Sequence, residues 1–60
     1  MTYAEMIHQA AANCVTTYEN EGSAAEEAYR AERVQAIHNT SGKARITVED
    51  DILERVEELI

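Results

Sequence analysis

Apolar residues recur along this chain at helical rather than strand spacing, in three runs separated by glycines. At about 100° per residue, Tyr3, Ile7, Ala10, Ala11, Cys14, Val15 and Tyr18 share one sector of the first run, with Met6 on its flank. Glu5, Gln9, Thr16 and Glu19 lie opposite. In the last run Val48, Ile52, Leu53, Val56, Leu59 and Ile60 form a stripe against Asp50, Asp51, Glu54, Glu57 and Glu58. The middle run has two apolar sides, with Ala25, Ala28, Tyr29 and Ala36 on one and Ala31, Val34 and Ile37 roughly across from them. A helix apolar on two sides needs two neighbours. That makes it either the central helix or one shared across a dimer interface, where small alanines permit close approach.

Hydroxyls and glycines punctuate these runs. Thr2 is followed three residues on by Glu5, Ser23 by Glu26 and Thr47 by Asp50. Each pair matches a capping box, in which the hydroxyl accepts from the third helical amide and the carboxylate reaches back to the cap amide. Gly22 and Gly42 stand where the first two helices should stop. The spacing predicts helices near residues 3–20, 24–39 and 48–60, with a basic linker at 40–47. The expected fold is all-α, a single small domain over residues 1–60: a helical hairpin plus a C-terminal amphipathic helix, completed by dimerisation.

Residues 44–48 also have the composition of a short strand, which would need a pairing partner. The stretch from Ala44 to Leu59, ARITVEDDILERVEEL, resembles the opening strand and first helix of ribbon-helix-helix repressors and antitoxins. The resemblance covers 16 of 60 residues and implies a strand before the last helix. That family follows with a second helix, which this sequence lacks after Ile60, so its DNA-reading function is not transferred.

Composition narrows the function. Of the 27 apolar residues, 10 are alanine, so a 60-residue chain has few large side chains to bury and association is the expected remedy. The single Cys14 excludes an intramolecular disulfide. No apolar run is long enough to cross a bilayer, and MTYAEMIHQA lacks the basic start and apolar core of a signal peptide. A cytoplasmic setting is expected, with no membrane partner.

Twelve acidic residues against five basic ones leave a formal charge of −7, unevenly placed. Residues 1–28 carry −5, residues 29–47 carry +3 through Arg30, Arg33, Lys43 and Arg45, and residues 48–60 carry −5. Two readings follow. The basic middle pairs with the acidic ends, through Glu21, Glu26 or the last helix. Alternatively, six carboxylates over about 20 Å of helix approach the one-per-3.4-Å density of phosphates along a DNA strand and mimic nucleic acid. Direct nucleic-acid binding is not expected against a −7 background.

Candidate chemistry is sparse. Glu5-Met6-Ile7-His8 has the Glu-x-x-His spacing of bundle di-metal sites, but its only echo, Gln35-Ala-Ile-His38, has glutamine where a ligand should be. Cys14 lies in an apolar stripe, with no base at helical reach. No catalytic, cofactor-binding or metal residue is assigned. The expected partner and self-association surface comprises Tyr3, Ile7, Tyr18, Tyr29, Val34, Ile37, Ile52, Val56 and Leu59. The functional expectation is a non-enzymatic adaptor or regulator that dimerises and binds a macromolecule, of the size and composition of phage or plasmid accessory factors. The alternative is an inhibitor whose acidic helix occupies the groove of a basic nucleic-acid-binding protein.

Overall fold

The computed structural model describes residues 1–60 as three α-helices, α1 (Tyr3–Glu21), α2 (Ser23–Ser41) and α3 (Arg45–Leu59). α1 is the central element and packs on both others, whereas α2 and α3 touch each other least. α2 is therefore not the central helix that its two apolar sides suggest; α1 takes that place. Val34 and Ile37 enter the core, Tyr29 packs against it, and Ala28 and Ala31 stay exposed.

Eight residues are buried: Ile7, Ala10, Ala11, Cys14, Val34, Ile37, Val48 and Ile52. Tyr3, Met6, Tyr29 and Val56 close around them. The accessible surface is 3931 Å², against about 3,900 Å² expected for a folded monomer of this mass. The radius of gyration is 10.5 Å, against about 10 Å for a compact chain of this length. One copy closes its own core to the usual extent.

The helix ends show which local signals won. Thr2 makes the full capping box: its Oγ1 accepts from the Glu5 amide at 3.2 Å, and a Glu5 carboxylate oxygen accepts from the Thr2 amide at 2.9 Å. The other two boxes do not form. A single residue, Gly22, ends α1 and starts α2 at φ 95°, ψ −179°, a region open essentially only to glycine. Ser23 is already helical. Glu26 faces Arg30, which donates to both its carboxylate oxygens at 2.9 and 3.0 Å.

α3 starts three residues before the predicted 48, at Arg45, so residues 45–48 are helical and the strand implied by the ribbon-helix-helix resemblance does not exist. Thr47 lies inside the helix and caps nothing. The added turn donates the Val48 amide to the Ala44 carbonyl at 3.0 Å and leaves Val48 fully buried. Burying a valine contributes roughly 1.5–3 kcal/mol, more than the ~1 kcal/mol of a hydroxyl cap. Packing overrides the local signal here.

The 40–47 linker shrinks to residues 42–44. Thr40 Oγ1 and Ser41 Oγ donate back to the carbonyls of Ala36 (3.0 Å) and Ile37 (2.7 Å), which lets polar residues continue α2. Gly42 then caps it in the left-handed conformation at φ 78°, its amide donating to the His38 carbonyl at 2.9 Å. His38 Nδ1 donates to the Lys43 carbonyl at 2.6 Å and seals the turn.

Candidate interaction surface

The folded core divides the apolar candidates in two. Ile7, Val34, Ile37 and Ile52 are buried within the single chain, and Val56 and Tyr29 are half-buried beside them. The chain's own helices use the surface of Ile7, Val34, Ile37 and Ile52. Tyr29 is held further by Asn13, whose Nδ2 donates to its hydroxyl at 3.0 Å. Tyr3 bridges α1 to α3, with its hydroxyl donating to Asp51 and Lys43 Nζ 4.8 Å above its ring. Of the predicted surface residues, Tyr18 and Leu59 remain open, at 59 % and 41 % exposure.

Tyr18 forms part of a recess of about 400 Å³ where the C-terminal ends of α1 and α3 meet the start of α2. Val15, Tyr18, Val56 and Ile60 supply apolar walls, and Glu19, Glu26 and Arg30 supply polar ones. Cys14 lies on its floor. Burial, reinforced by the neighbouring Glu26 carboxylate and partly opposed by Arg30, pushes the Cys14 thiol up to about 11. A thiol kept protonated at neutral pH is a poor nucleophile.

The charged candidates are sorted the same way. Arg30 joins Glu26 to Glu49, at 3.9 Å, and so links α2 to α3. Lys43 sits on Tyr3, and Arg45 donates to Gln35 at 3.0 Å. Arg33 lines a separate groove of about 250 Å³ between α1 and α2 with Met6, Asn13 and Tyr29, and its Nε has no protein partner. The four bases thus serve different neighbours rather than one patch. On α3, Asp51 is taken by Tyr3 and Glu58 by Arg55, at 3.2 Å. Asp50, Glu54 and Glu57 are exposed and form no ion pair.

Glu5 and His8 do not converge. Glu5 is turned back on its own cap, and the two Thr2 hydrogen bonds hold its carboxyl below the ordinary range. His8 Nδ1 accepts from Arg55 Nε at 3.1 Å across to α3. No group of three His, Cys, Asp or Glu side chains comes together to hold a metal ion, and no helix is long and apolar enough to cross a membrane.

One exposed residue escaped the sequence reading. Ile46, assigned to the linker, stands in the first turn of α3 at 65 % exposure. Its signal is a seven-residue spacing to Leu53 and Ile60, which a linker over 40–47 leaves out.

A scan against protein-family models gave no match, and comparisons with curated proteins and with solved structures gave none either.

Proposed function

We propose that this protein is a non-enzymatic binding module, an adaptor or regulator that docks on a macromolecular partner and self-associates as a dimer of already folded subunits. The observation supporting this is the large apolar surface left after the core has closed: Tyr18, Leu53, Leu59 and Ile60 are all exposed, at 59, 37, 41 and 86 %. Tyr18 and Ile60 flank the recess at one end of the bundle. An amphipathic tyrosine beside an aliphatic wall is a common interface anchor. Its small size and acidic charge suit a cytoplasmic accessory factor of phage or plasmid type.

The unpaired Asp50, Glu54 and Glu57 favour a second reading, in which α3 mimics nucleic acid in a partner's basic groove. Affinity capture from the native cell separates the two, with wild type run beside Tyr18→Ala and a Glu54→Gln, Glu57→Gln, Glu58→Gln triple variant. Docking through the apolar end requires that Tyr18→Ala lose the captured partner while the triple variant keeps it. The opposite pattern, with capture collapsing at raised salt, moves docking from the Tyr18 end to α3, and supports mimicry over the binding module when Leu53→Ser leaves capture intact. Tyr29→Ala is not a surface test, because Tyr29 packs against the core.

A further inference from the structure

Ile46 and Leu53 of α3 and its C-cap Ile60 recur every seven residues and are exposed to 65, 37 and 86 %. They form a row of about 21 Å at ~1.5 Å per residue. Seven residues fall about 20° short of two full turns, so the row drifts slowly around the helix, as a coiled-coil seam does. Another helix crossing at a shallow angle can follow it along its length.

The flanks specify what that helix carries. Asp50 and Glu57 lie within about 60° of the middle of the row, and Glu54 stands about 100° from it on the same side. All three are exposed and none forms an ion pair. The two arginines of α3 are engaged elsewhere, Arg45 with Gln35 and Arg55 with His8 and Glu58. A neutral partner laid on the row would desolvate carboxylates without pairing them. A second copy of α3 fits poorly: antiparallel pairing sets Asp50 against the other copy's Glu57, and parallel pairing aligns two six-carboxylate segments.

Resting on the binding-module reading above, we propose that the outer face of α3 docks a basic amphipathic helix of another protein. Its aliphatic residues sit on Ile46, Leu53 and Ile60, and its lysines or arginines face Asp50, Glu54 and Glu57. This is helix-on-helix recognition with charge setting the choice of partner. It places the acidic residues at the rim of an apolar seam rather than in imitation of a phosphate backbone.

The test titrates the full chain against a fluorescein-labelled three-heptad peptide with leucine at the two seam positions and lysine or arginine beside them. Two controls accompany it: a scrambled peptide of identical composition, and one with glutamate replacing every base. The heptad peptide binds at least about tenfold tighter than the scramble. Leu53→Ser and Ile46→Ser each weaken it by about tenfold or more, and Asp50→Asn with Glu57→Gln removes most of its salt dependence. Both serines replace exposed side chains, and circular dichroism checks that each variant stays helical. Equal binding of the scramble, or indifference to both serine variants, overturns the proposal. So does a light-scattering dimer that Leu53→Ser dissolves, since a second copy would then cover the face. If binding is instead lost in Tyr18→Ala alone, this inference fails while the binding module stands.

Discussion

Tyr3 Oη donates to Asp51 Oδ2 at 2.5 Å, joining the first residue of α1 to the middle of α3 across 48 positions of sequence. The bond orients α3 on α1 from the end opposite the Tyr18 recess. Tyr3→Phe keeps the ring and its contact with Lys43 but removes the donor. The expected cost is about 1–2 kcal/mol, since the acceptor is a carboxylate and the site is half-buried. Urea denaturation at pH 7 measures it; an unchanged midpoint means the bond is not made in solution.

The same residue makes stability fall at alkaline pH. Burial, then the hydrogen bond and the charge of Asp51, push the Tyr3 phenol up to about 12 from its ordinary value of 10.0. Burial likewise takes the Cys14 thiol from 9.0 to about 11. Both folded-state values are raised, so the folded state favours the protonated, neutral forms. Their contributions are fully present below the unfolded values and disappear as pH rises, between about 9 and 11 for Cys14 and between 10 and about 12 for Tyr3. Denaturation curves at pH 7, 9, 10 and 11 should show the loss, with Cys14→Ala flattening its onset and Tyr3→Phe its upper part. A slope that neither variant changes contradicts the assignment.

The three hydroxyls that resemble caps should behave in opposite ways. Thr2→Ala removes a formed capping box and lowers thermal stability. Thr47→Ala sits within α3, where alanine is the better helix former, and is expected to stabilise by roughly 0.5 kcal/mol. Ser23→Ala, at the first position of α2, should not destabilise as loss of a cap does. A loss near 1 kcal/mol for Thr47→Ala would restore the later helix start.

The two glycines are expected to differ. A Cβ at Gly22 or Gly42 meets nothing within 4 Å, so any cost is backbone strain. Gly42→Ala enters the left-handed helical region and should cost about 1 kcal/mol, relieved by Gly42→Asn. At Gly22 the extended positive-φ geometry is harsher, and Gly22→Ala should cost up to about 3 kcal/mol. Thermal melts rank the pair.

Three helices, both stop glycines and the buried faces of α1 and α3 could be read from periodicity, because Ile7, Cys14, Val48 and Ile52 repeat at helical spacing and the core uses that spacing directly. The start of α3 could not. Its local cap signal at Thr47 loses to the burial of Val48, which only the packed bundle reveals. The two-sided character of α2 suggests a central helix, but α1 takes that place and Ala28 and Ala31 of α2 stay exposed. For the same reason the surface list included Ile7, Val34, Ile37 and Ile52, which one copy buries, and omitted Ile46. A stripe shows which residues leave water, not which helix covers them.

The mass of the assembly in solution tests the binding-module account most directly. Size-exclusion chromatography with light scattering, run from low micromolar to millimolar protein, should show a mass rising from 6.7 kDa towards twice that value. Helix content should stay constant on dilution, and Tyr18→Ala should return the mass to that of a single chain. A wild-type mass of 6.7 kDa across the whole range would contradict the proposed pairing.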